Sequence, residues 1–245
     1  MRRRKWTTTR TTMSARACAW HAALVAAAFV AAAPVAATSR TGDPGAVASS
    51  ARRAEARAVI AAALERYESA RTYRLDFVQE NYWALADSTS IVSGTLLYAR
   101  PGRMSLEYGD GSRIVVAGDS MRVYAAQTAQ FFVVEIDSSD VAIDPPRLLR
   151  AYAPDPISPF ASGEPLPDGS RVVNLKPQAS FSEPASVEVT IDPTSGAVTR
   201  IAALSSSGDR TTYAIRASRF GVEVPDDKFV LRRPANATTV KGSPF

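Results

Sequence analysis

Residues Gly94 to Tyr108, GTLLYARPGRMSLEY, spell two strands and the turn between them, and so commit the chain to an antiparallel sheet with one apolar side. Leu96 and Tyr98 alternate with Thr95, Leu97 and Ala99. Pro101-Gly102 supplies the turn, because Pro presets φ at one corner and Gly accepts a positive φ at the next. Met104, Leu106 and Tyr108 then alternate with Arg103, Ser105 and Glu107, which predicts a hairpin greasy on one face. By parity Arg100 follows Leu96 and Tyr98, setting a guanidinium at the rim of that face, where a charge needs a partner.

The same period of two runs through much of the chain. Tyr73, Leu75 and Phe77 alternate with Arg74, Asp76 and Val78 within YRLDFVQENYW. Further strands are predicted at Ile91 to Ala99, Gly102 to Tyr108, Ser112 to Ala117, Met121 to Ala125 and Gln130 to Ile136. A second series is predicted at Arg171 to Leu175, Ser186 to Asp192, Ala197 to Ser206, Arg210 to Ala217 and Lys228 to Leu231. Short Gly- and Asp-bearing turns join neighbours, as in antiparallel pairs, and no βαβ rhythm appears. Ala51 to Ala70 reads as an amphipathic helix, with Ala54, Ala58, Leu64 and Tyr67 close at helical spacing. Asp144-Pro145-Pro146 introduces a short helix over Arg147 to Tyr152, with Leu148 and Leu149 as its apolar content. The five prolines between Ala153 and Gly169 argue against a further regular element there. The fold class is therefore mainly β: a large curled antiparallel sheet with an N-terminal helix and a mid-chain helix.

The N-terminus has to be set aside before charge is interpreted. Arg2, Arg3, Arg4, Lys5, Arg10 and Arg16 precede an Ala/Val-rich run, Ala22 to Ala37, that ends in small residues. This is the pattern of a secretory signal peptide over residues 1–37, with a membrane anchor as the alternative and Pro34 counting against it. Cys18 precedes the apolar run, the wrong place for lipid attachment. Residues 38–50 read as a flexible leader and 51–245 as a single domain. Of 29 basic and 24 acidic residues, removing the six leader cations leaves 23 against 24, a charge near −1. The basic pI thus belongs to the leader and argues for no nucleic-acid partner. His21 and Cys18, the only residues of their kinds, leave with it, so Ser-His or Cys-His chemistry, thiolate or imidazole metal sites and disulfides are all excluded from the mature chain.

The ordered set of a leading helix, YRLDFVQ, GTLLYARPGRMSLEY, IVVAGDSMRVY, a Pro-led helix, VEVTIDPTSGAVTRI, GDRTTYAI and DDKFVLRRP resembles the periplasmic outer-membrane lipoprotein carrier family over about Ala51 to Pro234. That resemblance implies an unclosed β-barrel covered by helices, without cofactor or catalysis. It implies a monomeric periplasmic protein that takes acylated lipoproteins from an inner-membrane lipoprotein-releasing ABC transporter to an outer-membrane acceptor. It further implies an acyl cavity lined by Tyr73, Leu75, Phe77, Leu96, Tyr98, Met104 and Leu106, a lid bearing Leu148 and Leu149, and an Arg100 that hydrogen-bonds the lid in the empty state. Arg232-Arg233 and the short polar segment after Pro234 depart from the family pattern.

Other readings of the same residues stand beside these. The cavity set equally describes an ordinary core, and Arg100 equally suits a surface bridge to Glu107. Asp209 and Glu107 are the carboxylates a hydrolase would use, although no spacing brings two of them together and no nucleophile, phosphate-loop or metal motif is present. A sensor that binds lipid or lipoprotein on the same sheet is the third class.

Overall fold

The computed structural model describes residues 44–135, 144–155, 159–161, 163–177 and 184–241. The expected signal peptide and the start of the expected leader lie outside them. A helix, α1, spans Pro44–Ser69. The strands are β1 (Thr72–Trp83), β2 (Ser88–Ala99), β3 (Arg103–Tyr108), β4 (Arg113–Ala117), β5 (Ser120–Ala125) and β6 (Gln130–Glu135). After a second helix, α2 (Pro145–Ala151), come β7 (Tyr152–Pro154), β8 (Arg171–Pro177), β9 (Ser186–Ile191), β10 (Val198–Leu204), β11 (Arg210–Phe220) and β12 (Thr238–Val240). All twelve form one sheet in the order β12-β6-β5-β4-β3-β2-β1-β11-β10-β9-β8-β7. Its end strands, β12 and β7, do not pair, so the sheet curls without closing. Every pairing is antiparallel except β12 on β6.

One irregularity helps to bend this sheet at its centre. On β11, Ala217 faces Asp76 and Ile215 faces Phe77, leaving Arg216 as an unpaired extra residue, a bulge of the kind that sharpens local twist. On the other side of β1, Gly94 faces Phe77. A Cβ there would come within 2.5 Å of the Phe77 ring, so the glycine is what lets the ring lie over β2.

The inner face follows from register. Tyr73, Leu75 and Phe77 of β1 stand opposite Tyr98, Leu96 and Gly94 of β2, and these stand opposite Met104, Leu106 and Tyr108 of β3. Val116, Met121 and Phe132 carry the surface along one arm; Tyr213, Ile201, Val189 and Val173 carry it along the other. The helices cover it. Buried residues of α1 are Ala56, Val59, Ile60, Ala63 and Tyr67, a stripe different from the expected one: Ala54 and Ala58 are exposed. In so Ala-rich a helix alanine does not select a face; the larger Val59, Ile60 and Tyr67 do. The helix also begins at Pro44, before the expected Ala51, because Pro suits the first turn and Ala-Val-Ala continues it.

The C-terminal segment departs furthest from expectation. Lys228 to Leu231 is not a strand; a short 3₁₀ helix occupies Asp226–Phe229. Both edges of β3 are already taken by β2 and β4, so the segment crosses the outer face instead. Arg103 pairs with Asp226 at 2.7 Å and lies over the Phe229 ring, Lys228 reaches Glu107 at 3.1 Å, and Leu231 and Ala237 pack on Val115 and Phe131. The polar segment after Pro234 then supplies β12.

Candidate functional site: the covered inner face

All seven residues expected to line a cavity lie on this inner face, and all but Tyr98 are buried. Leu148 and Leu149 of α2 are buried in the same cluster, at 4 and 3 % exposure. The described inner face and its helices therefore form one continuous apolar core. Tyr73 stacks on Tyr98 at 4.6 Å, Tyr67 of α1 meets Tyr73 edge-on at 5.2 Å, and Phe220 closes the group against Tyr67 at 5.2 Å. Aromatic contacts of this kind add to the area they bury. Burial raises the Tyr67 phenol to about 12, and its oxygen accepts the Val198 N–H at 3.3 Å, tying α1 to β10.

Asp144 connects the sheet to α2. It stands at the helix N-cap, yet its side chain does not cap the helix. It turns inward to 3 % exposure, and the Tyr73 hydroxyl donates to its Oδ1. Arg147 approaches the other oxygen at 3.5 Å. Burial pushes the Asp144 carboxyl above its ordinary value, against the Tyr73 bond and the charges of Arg147 and Arg150. The Tyr73 phenol is held well above its usual range by burial and by the neighbouring carboxylate. Arg150 adds an exposed ion pair to Glu68 of α1 at 2.5 Å.

Arg100, expected to bond the lid, lies elsewhere. It is exposed in the β2–β3 turn, its backbone N–H donates to the Arg71 carbonyl at 2.9 Å, and no side-chain bond joins it to α2 among the described residues. The strand ends at Ala99, so the alternation that would have aimed Arg100 inward ends one residue too soon. Nor does it bridge to Glu107, which lies opposite Thr95 and pairs with Arg113 at 3.2 Å and Lys228 at 3.1 Å. Tyr73, expected only as cavity lining, also carries a hydroxyl, which on a buried strand face demands a partner.

Asp209 and Glu107 are not brought together. Asp209, in the β10–β11 turn, accepts the Ala84 N–H at 2.8 Å beside the β1–β2 hairpin tip. A cavity of about 420 Å³ opens around Gly94, but its walls include Asp76, Thr95, Glu107 and Arg216. Asp76 is already bound by Arg74, Arg219 and Thr95, which hold its carboxyl below its ordinary value against the burial that would raise it. Among the described residues no group of His, Cys, Asp and Glu is placed to hold a metal, and no helix is long and apolar enough to cross a membrane.

Among solved structures, the chain is 14 % identical to an uncharacterised conserved protein from Thermus thermophilus, with a TM-score of 0.46 over 74 % of this chain and 96 % of that one. It is 10 % identical to the LolA superfamily protein NE2245 from Nitrosomonas europaea, with a TM-score of 0.40 over 72 % and 97 %. It is 16 % identical to a chain of the Pseudomonas aeruginosa MucA/MucB complex, with a TM-score of 0.43 over 76 % and 63 %. No curated protein matches the chain. A family model, described as outer membrane lipoprotein carrier protein LolA, matches residues 68–232, the span that runs from the end of α1 through β1 to β11; the chain belongs to the LolA family.

Proposed function

We propose that the protein is a periplasmic carrier that shields lipoprotein acyl chains between the inner face of its sheet and its two helices, receiving them from an inner-membrane ABC transporter and yielding them to an outer-membrane acceptor. The observation that carries this reading is the way the apolar face is closed. A face built from Tyr73, Leu75, Leu96, Met104 and Leu106 shares one core with α1 and the seven-residue α2, and Asp144 at the N-cap of α2 takes a hydrogen bond from Tyr73. Hydrocarbon can replace such a cover, since each buried methylene contributes about 0.8 kcal/mol. Helix and acyl chain would compete for one surface, so binding opens the lid and reclosing it expels the cargo.

Equilibrium binding of a fluorescent C16 acylated peptide tests this. Saturable binding is expected, displaced by palmitoylated but not by unacylated peptide, with faster amide exchange in α2 when loaded. A protein that binds no acyl chain, or binds one without loosening α2, contradicts the reading.

A further inference from the structure

The apolar run along β1 ends in a buried amide with an unused acceptor. Tyr73, Leu75, Phe77, Gln79 and Asn81 share the inner face by alternation. Gln79 is 8 % exposed. Its Nε2 donates to Asn81 Oδ1 at 2.9 Å, and Thr211 Oγ1 donates to the same oxygen at 3.0 Å. With Asn81 accepting from Thr211, turning over the Gln79 amide alone would set oxygen against oxygen. Gln79 Oε1 is then left buried with no hydrogen-bond partner among the described residues. Buried acceptors are costly to leave unpaired, so one held by a defined network calls for an explanation.

Position supplies one. Gln79 faces Val92 on β2 and Tyr213 on β11. Val92 and Asn81 are only half-buried, so this end of the face approaches solvent, whereas Tyr73 at the other end lies under α2. From Tyr73 to Gln79 the strand rises about 20 Å at roughly 3.3 Å per residue. One leaflet of bilayer hydrocarbon is about 15 Å thick, half of the roughly 30 Å core. An acyl chain of about 15 Å laid along β1 with its head at Gln79 would thus run past Phe77 to about Leu75, with its tail toward the Tyr73 end.

We propose that Gln79 is a specificity-determining residue, whose Oε1 accepts a hydrogen bond from a donor at the head of the acyl chain: the N–H of an amide-linked chain or the O–H of an acylglycerol. This inference rests on the acyl-binding reading above. It adds direction, head at the hairpin end and tail beneath the lid, and it adds selection for donating heads over plain esters. Asn81 and Thr211 are positioning residues that hold the Gln79 amide.

The test is displacement of a fluorescent C16 fatty-acid probe from the mature chain by four competitors: N-propyl palmitamide, its N-methylated analogue, propyl palmitate and 1-palmitoylglycerol. The amide with its N–H, the glycerol ester, or both should compete about 5- to 100-fold better than the two donor-free compounds, the range set by pairing a buried acceptor. Which of them does so identifies the source of the donor. Gln79→Met should erase the preference, leave propyl palmitate binding intact and keep or raise the melting temperature of the empty protein. Gln79→Leu serves if the Met variant does not fold, and the N-methylated amide makes the same comparison with no change to the protein. Equal competition by all four, or a preference that survives in the variants, overturns the inference and leaves the carrier reading in place. Failure of every competitor, and of the probe, overturns both.

Discussion

Tyr73 and Asp144 show how a single buried pair can be both support and burden. The carboxyl is nearly removed from water, and its pKa is raised because burial outweighs its partners. A group whose folded pKa lies above its unfolded value contributes stability fully below the unfolded value and loses it as pH rises through the folded one. Lowering the pH from 7 toward 4 should therefore stabilise the parent relative to Asp144→Asn, read as a growing difference in melting temperature in the parent's favour. A flat difference across that window would mean that burial does not raise the Asp144 carboxyl above its ordinary value. On the outer face, Ser105 is fully buried under the C-terminal segment and its hydroxyl has no partner among the described residues. Ser105→Ala should raise stability by about 1 kcal/mol by removing a desolvated hydroxyl that bonds to nothing. Chemical denaturation reads this directly, and a loss of stability would point to a hydrogen bond made in solution.

At the scale of elements, alternation was enough to place β1 to β6 and β8 to β11, because period two in Tyr73-Leu75-Phe77 or Met104-Leu106 reads as a strand with an apolar face. The inner-face side chains were legible for the same reason. What was not legible depended on tertiary competition. Lys228 to Leu231 has strand composition, but it lies across β3, whose two edges are already taken by β2 and β4. Thr238 to Val240 looked like a polar tail and found the edge of β6. Arg100 had the right parity, but the strand stopped before it, and the bond from sheet to lid fell to a tyrosine expected only as cavity lining. The C-terminal segment is held by Phe229 and Leu231 packing and by exposed or half-buried ion pairs. Such pairs contribute little each, so its attachment should depend on the apolar anchors. Phe229→Ala should speed amide exchange in β12 and cost up to about 3–5 kcal/mol, less to the extent that the segment peels off on its own. Asp226→Asn should change the same exchange little; the reverse ranking would make the segment an electrostatic attachment.

For the whole molecule, the proposed carrier reading makes affinity for an acyl chain the intrinsic affinity of an open form reduced by the fraction of molecules that are open. Leu148 and Leu149 are buried in the same core as Leu75, Leu96 and Met104, and the Tyr73 hydroxyl bonds Asp144 at the N-cap of α2. Tyr73→Phe keeps the ring, and with it the stacking on Tyr98, while deleting the bond. A hydrogen bond to a charged group is worth about 1.5–3 kcal/mol, less where the carboxyl is partly protonated. The closed form should lose stability of that order, and acyl affinity should rise by about 10- to 100-fold at 1.4 kcal/mol per decade. In the proposed mechanism the same change should slow delivery, since reclosing the lid would expel the cargo. Asp144→Asn retains an oxygen acceptor for the Tyr73 hydroxyl and should fall between the parent and Tyr73→Phe. Arg100→Leu, in an exposed turn with no bond to α2 among the described residues, should match the parent in both respects. The measurement is equilibrium binding of a fluorescent acylated peptide together with the rate of its transfer to acceptor membranes. If Arg100→Leu bound more tightly and Tyr73→Phe did not, the turn arginine would be the residue that holds the lid, and the buried pair would be only part of the core.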